Sequence, residues 1–373
     1  MGNSARAFGV AGMLVLAACS SSEPPAGSER GPCYGNGTCN APLVCLSGLC
    51  VRNEPVDAGL DAAMPADAGV PLDSDVAVDL GFDAGPLERR SYVVSELQIP
   101  DNATESMMFG LDLDGDGAVD NQLGQVNSAL IAAAGSGSAL DFAAAERAVI
   151  DEGLAILLVE VGSPAFTSGF AQGRALHGSD PSPAACGTPG DPLTCRMHFG
   201  GSAHFTVTPI TPEVMTGSIT GGRLELGPGA SEVPIAFSRT PIWLPLVSAH
   251  LQAQVGVSGL TSGILAGGLR QSDLDTVFVP AFHASVVENI TRDCSGGTCT
   301  AGSSGESLLA LFDENHDGLV PLSEFQMNSL LQTLLRPDLD LYDATGAPGT
   351  DGVLDAFSVG IGFTAVGAVF TTP

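Results

Sequence analysis

"LVSAHLQAQV", residues 246–255, puts Val247, Ala249, Leu251, Ala253 and Val255 on one face and Ser248, His250, Gln252 and Gln254 on the other. A two-residue period of this kind marks a strand with one face in a core and one in water. The stretches around it repeat the theme. "SYVVSELQI" (91–99), "AHFTVTPI" (203–210) and "MTGSITGGRLEL" (215–226) read as strands, with Gly221-Gly222 at a turn or a bend. "LAILLVEV" (154–161) is apolar without alternation, as in a strand buried on both faces. Glycine-rich connections between such runs favour a β-sandwich or an open barrel.

Helical pieces are fewer, so the fold class is α+β with a β-rich body. Residues 121–135 space Leu123, Val126, Leu130 and Ile131 at helical intervals, with Gly135 as a stop. Residues 138–153 are a second candidate. A third starts at Ser272, a good N-cap, and should kink at Pro280. "GESLLALF" and "LSEFQMNSLLQTLLR" are two more, on either side of residues 313–321.

Composition excludes several functions. The 373-residue chain has a formal net charge of −29, and its 13 basic residues are all arginine. Nucleic-acid binding needs clustered positive charge, so it is not expected. A P-loop lysine, a lysine Schiff base and a Ser-Lys dyad are ruled out. No G-x-S-x-G elbow or H-E-x-x-H helix occurs either. "HFGGSAH" brings His198 and His204 close in sequence, but a zinc site would need a third ligand such as His250 or His283. Two histidines on a sheet are more often structural.

The N-terminus reads as an address. Arg6 precedes a twelve-residue apolar run, Ala7 to Ala18, which has signal-peptide length and is too short to span a bilayer. Leu16-Ala17-Ala18-Cys19 resembles the lipobox of bacterial lipoproteins. That resemblance implies a signal peptide over 1–18, a lipidated Cys19, and anchoring in the bacterial cell envelope, with the outer membrane as the expected site. Residues 19–31 then form a polar tether.

Nine cysteines less Cys19 leave eight, and they cluster locally without a C-x-x-C pair. An exported chain with such spacing points to disulfides rather than zinc. Cys186–Cys195 and Cys294–Cys299 would each close a small loop. Cys33, Cys39, Cys45 and Cys50 form a four-cysteine knuckle over 32–51, too small for a core of its own, with three connectivities open. Residues 52–88 follow as an acidic linker with three Asp-Ala-Gly copies, whose composition cannot offset chain entropy. The β-rich body is expected over 89–300.

"DENHDGLVPLSE", residues 313–324, sets Asp313, Asn315 and Asp317 at alternate positions, then Gly318, Leu319 with a free carbonyl, and Glu324 at the twelfth place. The stretch resembles the EF-hand family, departing only at Pro321. The resemblance implies a Ca2+ ion held by those oxygens and a bidentate Glu324. Two stretches echo it. "DLDGDGAVDNQL" (112–123) offers Asp112, Asp114, Asp116 and Asp120, with Leu123 where a glutamate belongs; it is also similar to thrombospondin-type calcium repeats. Residues 338–355 offer Asp338, Asp340, Asp343, Asp351 and Asp355, with an insertion between. Val320 and Leu354 would pair as in an EF-hand pair. Residues 301–373 thus make an EF-hand region with a C-terminal strand.

These readings imply a calcium-binding cell-envelope lipoprotein, anchored in the membrane through Cys19. Calcium stabilises a non-enzymatic binding or structural module, with an envelope protein or polysaccharide as partner. The alternatives are a secreted calcium-stabilised hydrolase acting on a polymer, and an extracytoplasmic calcium sensor.

Overall fold

Val93 pairs with Val366 across the seam that turns the sheet into a closed barrel. The computed structural model describes residues 33–34, 38–41, 43–46, 49–52, 87–134, 142–208, 213–295, 298–343 and 345–371, with Pro25 and Ser28 besides. The chain divides into two units, residues 1–78 and 79–373. The expected signal peptide and lipobox-like Cys19, with most of the expected tether and acidic linker, lie outside the described residues.

In the first unit, β1 (Leu43–Leu46) and β2 (Leu49–Arg52) form an antiparallel hairpin. Cys39 is bonded to Cys50, and Cys33 is also disulfide-bonded. The Cys45 side chain lies outside the described residues.

The second unit begins with β3 (Glu88–Gln98), followed by α1 (Ala103–Phe109), α2 (Gln122–Ala134) and α3 (Phe142–Asp151). The strands β4 (Leu157–Ser163), β5 (Ser168–Ser182), β6 (Ala203–Val207), β7 (Met215–Thr220), β8 (Arg223–Leu226), β9 (Ser231–Ala236), β10 (Pro241–Val255) and β11 (Gly259–Arg270) come next. The antiparallel order β3-β4-β5-β7-β8-β10-β11 is completed by β14 (Ala356–Thr371), which pairs with both β11 and β3. The result is a closed eight-stranded barrel, so the expected sandwich or open barrel is corrected. The strand that closes it comes from beyond residue 300, so no boundary separates the body from the C-terminal region.

Eight strands leave an interior that side chains can fill. Tyr92, Leu157, Val159, Ala175, Leu251, Ala253, Phe357 and Ile361 do so, all buried. Full burial of each large side chain contributes about 2–3 kcal/mol. Between them the alternate residues Glu160, Arg174, Arg223, Glu225 and Gln252 turn outward, and Arg89 and Arg174 both pair with Glu160. On these strands the barrel is apolar within and polar without, the reverse of a lipid-embedded barrel. Among the described residues, no helix is long and apolar enough to cross a membrane.

Residues 154–161 owe their continuous apolarity to a second core. β6 runs parallel to the end of β14 and antiparallel to the end of β5, so β3, β4, β5, β6 and β14 close a smaller ring. Leu157 and Val159 face the large barrel, while Ile156 and Leu158 join Val93, Leu176 and Phe205 in the small one.

Outside the barrel, β9 and the start of β10 form a hairpin that meets α3. The helical run Gln271–Asp293 comprises α4 (Gln271–Asp273), a π-helical stretch Leu274–Phe278 and α5 (Val279–Asp293). The expected kink at Pro280 takes this form. Pro280 has no N–H for the preceding turn, and the Val279 N–H reaches back to the Leu274 carbonyl, a wide turn that relieves the strain. The short strands β12 (Cys294–Ser295) and β13 (Thr298–Cys299) follow, bridged by Cys294–Cys299. Cys186 and Cys195 are bonded as well.

The last helices are α6 (Ser304–Phe312), α7 (Leu322–Met327) and α8 (Ser329–Leu334). The single helix expected after residue 322 is broken at Asn328, whose side chain accepts from the amides of Leu330 and Leu331. A chain of rings, Phe237–Phe142–Phe282–Phe325–Phe312, ties hairpin, α3, α5 and α6–α7 together with neighbouring centroids 4.8–5.4 Å apart.

Candidate metal centre

Three acidic loops share one hydrogen-bond plan. In the first, Asp112 accepts from the amides of Gly115 (2.8 Å) and Gly117 (3.1 Å), and Asp116 accepts from Ala118 (2.7 Å). In the second, Asp313 accepts from Asp317 (3.1 Å) and Gly318 (2.8 Å), and Asp317 accepts from Leu319 (2.9 Å). In the third, Asp340 accepts from Asp351 (3.1 Å) and Gly352 (2.7 Å), and Asp351 accepts from Val353 (3.0 Å). The glycines Gly117, Gly318 and Gly352 have φ of 88°, 82° and 85°, where a side chain would be strained.

The loops also close alike. The first is shut by Asp120 on the Leu113 amide (2.7 Å), and the third by Asp355 on the Leu341 amide (3.1 Å). Leu113 follows Asp112 as Leu341 follows Asp340, so the third loop matches the first once its insertion is removed. That insertion is a turn in which Asp343 accepts from the amides of Thr345 and Ala347 and from the Thr345 hydroxyl. These bonds hold the Asp343 carboxyl below its ordinary range and occupy it inside the turn. The second loop is shut by Glu324, which accepts from the Asn315 amide (3.1 Å) and side chain (3.2 Å).

Charge accumulates in these loops. Asp112, Asp114 and Asp116 each offer an oxygen, and these atoms lie within 4.8 Å of one another. Asp120 is pushed up to about 6 by burial and by the charges of Asp114, Asp338 and Asp116, against the pull of the Leu113 amide. Burial raises Asp338 too, with Asp114 adding to it. Asp313 and Glu324 are buried, held between α6 and α7. Several hard carboxylate oxygens converging without a basic partner are the donor set a calcium ion takes. The first and second loops fit such an ion better than the third, which has Tyr342 where Asp114 and Asn315 stand.

Some expected contacts do not form. Val320 is buried, and its carbonyl meets His283 Nε2 at 2.7 Å, whereas Leu354 is exposed; the two loops are not paired through these residues. The first and third loops are the neighbours: Leu113 and Leu339 pack with Ala266 and Ala356 on the outer wall of β11 and β14. Asp338 uses both carboxylate oxygens on Ser358 of β14.

The histidines disperse. His198 is buried, and burial with the Arg196 charge pulls it down to about 4. His204 is exposed on β6, His250 lies on β10, and His283 lies on α5. Among the described residues, the other cluster of metal-compatible groups is Cys33, Cys39 and Cys50, which are in disulfides.

One polar cluster escaped sequence reasoning. His177 stacks on Trp243 with centroids 3.5 Å apart, and its Nε2 lies 2.7 Å from Glu232. Its members come from β5, β10 and β9, so no spacing along the chain signals it. No protein-family model matches this chain, and neither a curated protein nor a solved structure is significantly similar to it.

Proposed function

We propose that this chain is a calcium-binding lipoprotein of the bacterial cell envelope. Its ions fasten a barrel that serves as a binding or structural module rather than an enzyme. The observation that carries this reading is the plan repeated in three loops of different sequence length. Each sets a carboxylate under the amide of a left-handed glycine and under a second amide one or two residues before it, with a second carboxylate closing the loop. The second loop is further supported by its flanking helices and by the pair Phe312–Phe325. The EF-hand resemblance accounts for the oxygens of Asp313, Asn315, Asp317 and Glu324 and the carbonyl of Leu319 as ligands. Asp112, Asp114, Asp116 and Asp120 would serve the first loop, and Asp340, Asp351 and Asp355 the third.

Calcium then acts as a fastener, because exported loops bind weakly and stay filled, adding stability by mass action. The lipobox-like Cys19 supports membrane anchoring, with an envelope protein or polysaccharide as the partner of the body. Dispersal of the histidines weakens the hydrolase reading.

Calorimetric titration with calcium, joined to thermal melting with calcium and with chelator, tests the proposal. Binding of two or three ions with a raised melting temperature and no new dye-accessible apolar surface is expected. Absence of binding heat, with melting indifferent to chelator, would overturn it. Dye binding that appears on adding calcium would favour the sensor instead.

A further inference from the structure

The flanks of the first and third loops meet on one buried serine. Ser358, fully buried on β14, donates its hydroxyl hydrogen to Asp338 and accepts from the backbone amide of Gln122 at 2.6 Å. Its own amide donates to the other Asp338 oxygen at 2.7 Å. Asp338 stands two residues before Asp340, the first carboxylate of the third loop. Gln122 stands two residues after Asp120, the last carboxylate of the first. Two residues along the strand, buried Asn121 clasps Gly360, donating to its carbonyl at 2.9 Å and accepting from its amide at 3.1 Å. A side chain at Gly360 would stand 2.4 Å from the Phe109 carbonyl oxygen, so the clasp has no slack.

We infer that cation binding at the first and third loops is cooperative, and that the relay Gln122–Ser358–Asp338 through β14 transmits it. The inference rests on the calcium reading above. An empty first loop leaves its carboxylates repelling one another, and the chain on its C-terminal side, Asn121-Gln122, is the part bonded to β14. Filling the loop fixes that segment, and with it the Ser358 hydroxyl. A fixed hydroxyl orients Asp338, which leads into Asp340 and the third loop. A buried polar relay has few alternative arrangements, because each member left unpaired is costly. Ser358 and Gln122 are therefore positioning residues and not ligands. By linkage, the third loop must tighten the first by the same factor.

Terbium luminescence excited through tyrosine is strongest for an ion beside a tyrosine, so it weights the signal toward the third loop. Tyr342 lies within it, its amide on Asp355 at 2.9 Å, while the chain's other two tyrosines are Tyr34 and Tyr92. In the wild-type chain, Asp112→Asn should weaken terbium at the third loop about fivefold or more. With the relay cut by Ser358→Ala, the same change should have less than about a twofold effect, the low end of allosteric coupling being about fivefold. Ser358 is buried, so a second cut guards against misfolding. Gln122→Pro deletes the donating amide at the first position of α2, where proline is well tolerated, with Gln122→Ala as its control. Neither cut alters charge, so a purely Coulombic coupling would survive both. Survival in both cuts, or no effect of Asp112→Asn in the wild type, overturns the inference while leaving calcium binding intact. Failure of calcium and terbium to bind any loop overturns both.

Discussion

The carboxylate of Glu146, on α3, accepts the amide hydrogen of Ala236 at 2.6 Å, at a position with no solvent exposure. Ala236 ends β9, whose other edge pairs with β10. Pro234, Pro241 and Pro245 fall at pairings of one parity in that ladder, where amides point away from the partner strand. Along the free edge of β9, proline removes one donor and Glu146 takes another, so little is left to recruit a further strand.

Burial pushes the Glu146 carboxyl up to about 8. The folded value lies above the unfolded one, so its contribution to stability is full below about pH 4.5 and is lost as pH rises through 8. With calcium held constant, the unfolding free energy from denaturant titration should fall between those limits, by on the order of 5 kcal/mol at most. Glu146→Gln, which keeps an acceptor for Ala236, should flatten that slope. An unchanged slope in the variant would assign it elsewhere.

Glu324→Gln should remove one calcium equivalent and leave the others. At a hundredfold excess of calcium over Kd, the lost mass-action stabilisation is about 3 kcal/mol, or roughly 5–10 °C in Tm. Calorimetry and melting in excess calcium measure both. A variant with full stoichiometry and an unshifted Tm would remove the second loop from the ligand set.

Phe282 touches rings of α3, the β9–β10 hairpin and both helices around the second loop. Phe282→Ala should cost about 3–5 kcal/mol through the cavity left behind. Because Phe325 leans on Phe282 and follows Glu324, calcium affinity should fall as well. Urea unfolding and calorimetry on one preparation would separate a general loss of stability from a specific loss of affinity.

Unfolded, unreduced protein should show at most one free thiol. Cys39–Cys50, Cys186–Cys195 and Cys294–Cys299 are bonded, and Cys33 is too. Two or more titratable thiols would contradict the bonding.

Strand character was readable wherever local pattern decides it. Ala249, Leu251 and Ala253 are buried as the alternation in residues 246–255 requires, but a bulge at Ser248, with φ of 47°, shifts the register before them, so Leu246 enters the core and Val247 stays half-buried. Gly221-Gly222 form the tight turn between β7 and β8, both with positive φ. Closure was not readable, because it depends on β14 finding both β11 and β3, a pairing no local period encodes. The apolar run at 154–161 signalled burial, but its cause is a second ring closed by the distant β6. In the third loop, the turn held by Asp343 hid the relation of Asp340 to Asp351, which only their hydrogen bonds restore. The Ser358 relay was invisible for a plainer reason: a serine in a glycine-rich strand carries no signal of its own.

The seam also sets an order of events. β3 is made first among the barrel strands, yet its partner β14 is the last, so the ring stays open until nearly the whole body has emerged. Pairings this distant are slow to form, and an open barrel exposes unpaired edges meanwhile. The first and third loops pack on β11 and the start of β14. Cation binding at those loops, as proposed, would then lock the final strand, and ion concentration would time the closure of the barrel.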